Sequence, residues 1–242
     1  MCGRFSLTSE TPSAAAEFRC ETQETAPPRY NIAPTQPIAV IFEMFGRRQL
    51  RLMRWGFVPA WVKDPQDFSL IINARCESIE QKPSFRSAIR YRRCIIPANG
   101  FYEWHREGGV KTPYFIKPKA GDVVGYAGIY ETYASANGSE IDTVCFITTA
   151  ANADIASIHH RMPVLISSQK ADIWLDCVKY SPRDAAFFYE HSGTGFYDII
   201  PISNRVNAVK NDNPAIQERI SGALKTDAPA DQKKMGDQLS LF

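Results

Sequence analysis

The chain of 242 residues carries 28 Lys and Arg against 26 Asp and Glu, a formal net charge of +2. That length suits one sizeable core, and the near balance of charge leaves any affinity for nucleic acid to local clusters. No apolar run approaches the roughly 18 residues of a membrane span and the N-terminus lacks the apolar core of a secretory signal, which argues against membrane and secreted classes.

The first element is the pentapeptide Met1-Cys2-Gly3-Arg4-Phe5. A small second residue favours removal of Met1, which would leave Cys2 as a 1,2-aminothiol. Such a group condenses with an aldehyde twice, first through nitrogen to an imine and then through sulfur to a thiazolidine ring. Reference pKa values of roughly 8 for the amine and 8.5 for the thiol keep both near nucleophilic form at neutral pH.

Thr8 and Ser9 then precede a short helix over 14–18. Strands are predicted at 37–42 and 49–55, with Gly46 as turn material between them. Further short strands follow at 70–73, 94–98, 101–104, 114–117, 123–130, 144–149, 163–166 and 196–201. Ser167 or Ser168 can cap a helix over 169–177, and Ser181-Pro182-Arg183-Asp184 signals another over 185–191. The pattern predicts an α+β fold, a curved, barrel-like and mainly antiparallel sheet system with a few flanking helices. From 222 the sequence has little to bury, so a domain over 1–221 and a flexible tail over 222–242 are expected.

Six cysteines, at 2, 20, 76, 94, 145 and 177, form no Cys-x-x-Cys pair and lack zinc-type His spacing. No metal and no cofactor is therefore expected, and free thiols suit a reducing cytoplasm.

Four stretches gather polar chemistry. Ile72-Asn73-Ala74-Arg75-Cys76-Glu77 ends an apolar strand in an amide and a guanidinium, suited to an amine or sugar hydroxyl and to a phosphate. In Pro97-Ala98-Asn99-Gly100-Phe101-Tyr102-Glu103-Trp104, Asn99-Gly100 is a turn signal. Strand alternation puts Glu103 beside Phe101, with Tyr102 and Trp104 opposite. A carboxyl group among aromatics has a raised pKa, useful for proton transfer, although pairing with a nearby arginine is the plainer alternative. Ser157-Ile158-His159-His160-Arg161-Met162-Pro163 holds two of the four histidines, either of which can shuttle protons. On an extended segment they would face opposite ways, so one of them would reach a given site. Finally Arg86, Arg90, Arg92 and Arg93, with Arg4, Arg51, Arg54, Arg75 and Arg161, offer a basic face, and Trp55, Phe57 and Trp61 offer a ring for stacking on bases.

Together these pieces resemble the SOS-response-associated peptidase (SRAP) family of abasic-site processing proteins. The matching segments are Met1-Cys2-Gly3-Arg4-Phe5, Tyr30-Asn31-Ile32-Ala33-Pro34, Trp55-Gly56-Phe57-Val58-Pro59 and Ile72-Asn73-Ala74-Arg75, with the Glu103 and His159 stretches above, in family order. The resemblance implies a covalent trap for the aldehyde of an abasic site in single-stranded DNA, with Cys2 as nucleophile. It implies that Asn73 positions the amine, that Glu103 is the acid/base that opens the sugar, and that His159 is its partner in proton transfer. It further implies DNA contacts by Arg4, Arg75, Arg161, Trp55, Trp61, Asn31 and Pro34. His160 stands where the family pattern often has Asp, and Val62 follows Trp61 where some members have a second Trp, so weaker stacking is expected there.

The alternatives are a thiol (auto)peptidase using Cys2, with lyase chemistry also in view, and a non-catalytic single-stranded-DNA adaptor. The chain is expected to act as a monomer away from membranes. Its end, Gln238-Leu239-Ser240-Leu241-Phe242, resembles the short peptide by which bacterial repair proteins dock on the sliding clamp, with Gln238, Leu239, Leu241 and Phe242 as the contacts.

Overall fold

A computed structural model describes residues 2–135, 137–189 and 193–220, so the tail and its Gln238-Leu239-Ser240-Leu241-Phe242 end lie outside the described residues. Within it the strands are β1 (Phe5–Leu7), β2 (Arg29–Ile32), β3 (Pro37–Met44), β4 (Arg47–Trp55), β5 (Asn73–Arg75), β6 (Arg93–Ala98) and β7 (Gly100–Glu107). They continue with β8 (Val110–Pro118), β9 (Val124–Ala134), β10 (Glu140–Ala150), β11 (Arg161–Pro163), β12 (Leu165–Ile166) and β13 (Tyr197–Pro201). Four short helices flank them: α1 (Thr11–Glu17), α2 (Pro83–Tyr91), α3 (Ala171–Leu175) and α4 (Pro182–Ala185).

The β3–β4 hairpin pairs from Pro37↔Arg54 to Met44↔Arg47. Its turn puts Phe45 and Gly46 at φ 53° and 70°, the left-handed pair that matches strand twist. β3 then pairs with β6, β6 with β9, and β9 with β10, while β10 returns to β4 through the parallel register Thr143↔Arg54 and Val144↔Trp55. Those pairings close a five-stranded barrel. Closure explains why Ile38, Ala39, Val40, Ile41 and Phe42 are all buried: one face fills the barrel and the other is covered.

A second sheet runs in the order β13-β8-β7-β1-β2 and is antiparallel throughout. Phe5 of β1 joins it to the barrel, its ring 5.3 Å from both Trp55 and Phe146, which are 5.2 Å from each other. The α+β, barrel-like architecture expected from the strand pattern is the one observed.

The details differ at four places. Asn99-Gly100 is not a hairpin turn, because β6 and β7 belong to different sheets. Asn99 instead accepts hydrogen bonds from Thr8, and Gly100 is required by crowding, since a Cβ there would lie 2.6 Å from the Ile116 carbonyl oxygen and 2.7 Å from the Phe115 ring. The strand predicted at 70–73 begins only at Asn73, with Ile71 held by an isolated bridge to Phe57. Helix α2 escaped prediction although Pro83 opens it and Phe85, Ala88 and Ile89 form its buried stripe. The helix predicted over 169–177 is a 3-10 turn at Ser168–Lys170 followed by α3, whereas Ser181 does cap α4 through a box with Asp184.

Candidate active site at the start of the chain

β1 lies between β2 and β7 in the second sheet, and its pairing Phe5↔Phe101 carries the residues before it over the middle of β7. The Tyr102 amide donates to the Arg4 carbonyl at 2.9 Å, which sets Cys2 close to Glu103. Alternation along β7 turns Phe101 into the main core and Tyr102 with Trp104 into a second apolar cluster. Glu103 is buried.

β5 pairs in parallel with β10 in the register Phe146↔Asn73, which brings Asn73 to the same place from the barrel side. Its Nδ2 donates to the Cys2 carbonyl at 2.8 Å. Its Oδ1 is buried and has no hydrogen-bond partner among the described residues. His159 arrives from the loop between β10 and β11, with Nδ1 3.9 Å from Glu103 Oε1. The Arg161 amide donates to that same Nδ1 at 3.0 Å. Cys2, Asn73, Glu103 and His159 therefore converge from four separate stretches of sequence.

Burial moves the titration of all three groups. It pushes the Glu103 carboxyl above the ordinary carboxylate range and holds the His159 imidazole below its usual pKa. The Cys2 thiol, with no exposed surface, is raised by burial first and by the Glu103 charge second. Each shift favours the neutral form, so the carboxyl group holds its proton more readily and the imidazole releases its proton more readily than either would in water. An acid and a base side by side, with pKa values pushed toward each other, can pass a proton in either direction.

His160 does not point away from its neighbour as an extended segment would require. Residues 153–158 form turns, and the two imidazoles stack with centroids 4.4 Å apart. His159 is half-buried toward Glu103, while His160 is exposed.

The residues expected to touch DNA divide into two groups. Arg75 is exposed and its side chain makes no hydrogen bond or ion pair among the described residues, and Trp61 is 60% exposed, edge-on to Phe68. Pro34 is half-buried at the rim. The others are turned inward. Trp55 is completely buried, with Nε1 donating to the Ile72 carbonyl at 3.0 Å, and presents no face for a base. Phe57 is buried too.

Asn31 is buried and donates to the carbonyls of Val206, Ala208 and Asn211, tying down that loop. Arg4 donates to Asn31 Oδ1 at 2.7 Å and to the Val206 carbonyl at 2.9 Å, which makes it a brace rather than a free cation. Arg161 is also buried, holding Glu77 at 2.5 and 2.9 Å and the Thr148 carbonyl at 2.6 Å. The basic segment splits likewise, for Arg92 pairs with Glu131 and buried Arg93 donates to the carbonyls of Trp174, Ile89, Asp176 and Tyr180.

Glu77 was not singled out by sequence, and its only signal was a carboxylate four residues after Asn73 in the same polar stretch. Its bidentate hydrogen bonds to Arg161 hold its pKa at about 2. A carboxyl group so depressed stabilises the fold above the ordinary Glu value of about 4.3 and loses that contribution as pH falls toward 2. Glu77→Gln is therefore expected to lower the melting temperature at pH 7 and to converge on the parent protein at pH 2. Thermal unfolding across that range checks it, and a gap that persists at pH 2 would contradict it.

A fold that draws its own second residue beneath a buried acid, a carboxamide and a histidine defines a class in which the chain start is part of the candidate site. The chain belongs to the SOS response associated peptidase (SRAP) family, whose profile matches residues 1–209. It is 35% identical over 222 residues to the abasic site processing protein YoqW of Bacillus subtilis, covering 90% of this chain and 99% of that one. It is 33% identical over 191 residues to the abasic site processing protein HMCES of Gallus gallus, covering 69% of this chain and 56% of that one. Among solved structures, a protein from Bacteroides thetaiotaomicron superposes with a TM-score of 0.83 at 27% identity, covering 91% of this chain and all of the other. No helix among the described residues is long and apolar enough to cross a membrane, and none of their His, Cys, Asp and Glu side chains form a metal-binding group of three.

Proposed function

We propose that this protein processes abasic sites in DNA by forming a covalent thiazolidine link between Cys2, freed of Met1, and the ring-opened sugar of a single strand. The observation that carries this is the convergence of Asn73, Glu103 and His159 on the second residue of the chain. Family membership and relatives named for abasic site processing support it.

The abasic sugar rests mainly as a closed hemiacetal. Protonated Glu103 donates to the ring oxygen as the ring opens, which exposes the aldehyde. The Cys2 amine adds to that carbon, His159 takes the amine proton, and loss of water leaves an imine. Asn73 Oδ1 is the acceptor that orients the amine as it attacks. Sulfur then adds to the imine carbon while its proton passes to nitrogen, so aldehyde and aminothiol become thiazolidine and water. The order follows from the electrostatics, because a thiol raised by burial is a weak opening nucleophile, and the amine leads. Arg75 holds a flanking phosphate and Trp61 stacks on a flanking base.

Incubation with abasic and intact strands of the same sequence, followed by denaturing electrophoresis, separates this from peptidase action. A shifted band with the abasic strand alone is expected. An acyl-enzyme formed from peptides, with no such band, would favour the peptidase instead.

We also infer that the C-terminal peptide Gln238-Leu239-Ser240-Leu241-Phe242 docks on a bacterial sliding clamp, with a polar anchor at Gln238 and apolar contacts at Leu241 and Phe242. Deleting 238–242 is expected to abolish clamp binding in a pull-down and to leave cross-linking unchanged. Undiminished clamp binding would rule this out.

A further inference from the structure

Away from the candidate active site, a groove of about 760 Å³ runs between α2 and the segment 177–184. Its walls carry Arg86 and Arg90 on one side and Lys179 and Arg183 on the other. Ile89 and Cys177 line it as well. Arg86 and Arg90 stand one helical turn apart on the exposed face of α2, which in an α-helix puts their Cβ atoms about 6 Å apart on one side.

These four cations are not committed to carboxylates within the fold. None of them makes an ion pair among the described residues, in contrast to Arg92 and Arg93, which are committed to partners within the fold. Two acids, Glu80 and Asp184, also line the groove and leave the cations in excess by two; Asp184 is fixed at its edge by the Ser181 amide and hydroxyl at 2.8 and 2.7 Å in the cap of α4. Tyr91 adds a ring that is 57% exposed, with the Arg90 guanidinium 5.2 Å from its centroid. A groove that combines free cations with an accessible ring suits a flexible polyanion with flat bases, because phosphates pair with the walls while bases stack on the ring.

We propose that this groove is a second binding site for single-stranded nucleic acid, holding the backbone of the strand that runs on from the candidate active site. Continuity supports the path. Exposed Arg75 is followed directly by the 3-10 turn Cys76–Ser78, then by Glu80 at the groove and by α2 itself. Placing the damaged nucleotide at the other end of that path rests on the proposed function, whereas the groove's affinity for a strand does not.

The test compares the full chain with the triple variant Arg86→Ala, Arg90→Ala, Arg183→Ala, all at exposed positions. Binding of undamaged oligothymidylates of about 6 and about 20 nucleotides is followed by fluorescence anisotropy over a salt series. For the long strand, the variant is expected to lose roughly tenfold in affinity, and the slope of log affinity against log salt should fall by about 2. Binding of the short strand, which cannot span both sites, should fall less, and the melting temperature and cross-linking of a short abasic strand should be unchanged. Long-strand binding with the parent affinity and slope would overturn the proposal, and is the result expected if the groove receives an acidic protein instead. Should the parent protein fail to cross-link any abasic strand while the long-strand loss is seen, the proposed function falls and the groove stands.

Discussion

Replacing Cys2 with Ala is expected to abolish the denaturation-resistant adduct with abasic single strands and to leave affinity for undamaged strands within about twofold. Ala, like Cys, is small enough for Met1 removal, so the variant keeps its α-amine and loses only sulfur. An imine can then form and hydrolyse, but no ring can close over it. Borohydride should trap that imine in the variant, which separates loss of the second bond from loss of the first. The substitution removes a single buried sulfur, at a stability cost of about 1 kcal/mol, so the protein should remain folded. A stable adduct without reductant would show that sulfur is not the closing nucleophile.

Glu103→Gln is expected to slow cross-linking by about 10²- to 10⁴-fold, the usual contribution of a positioned acid/base group. Its effect on stability should run the other way. A carboxyl group whose pKa is raised by burial favours the fold below the ordinary Glu value of about 4.3, and that contribution is lost as pH rises through the raised value. Gln does not ionise, so the variant should resist heat better than the parent at neutral pH and lose the advantage in acid. A rate loss accompanied by a lower melting temperature at pH 7 would mean that Glu103 is held as a paired carboxylate for the sake of the fold. Coupling of lost rate to gained stability is what a functional group buried against its own solvation preference predicts.

Much of the fold was legible because local signals agreed. Strand alternation at 101–104, the left-handed turn at Gly46 and the Ser181 cap each involve neighbours in sequence. Barrel closure was not, since the parallel register Thr143↔Arg54 joins residues almost ninety positions apart and no periodicity encodes it. α2 hid behind its own arginines, which drew attention to charge when Phe85, Ala88 and Ile89 held the helical signal.

Cys2, Asn73, Glu103 and His159 were named because six ordered motifs resembled one family, which also chose His159 over His160, and the fold brings the four side chains together. The cations could not be sorted in the same way. A guanidinium looks the same in sequence whether it meets solvent, as in Arg75, or is closed around a carboxylate, as in Arg161 with Glu77. Asn31 and Trp55 mark the same boundary: their motifs are family features, yet their side chains serve the interior. Which polar groups remain available for a ligand is decided by tertiary pairing, and that is where structure adds most.

The central claim is a thiazolidine made by the processed chain end, and intact-mass measurement before and after incubation with an abasic single strand tests it most directly. The free protein should have the mass of the chain without Met1, and the adduct should equal that mass plus the oligonucleotide minus one water. An adduct that retains Met1, or a protein whose mass is unchanged by the abasic strand, would contradict the account.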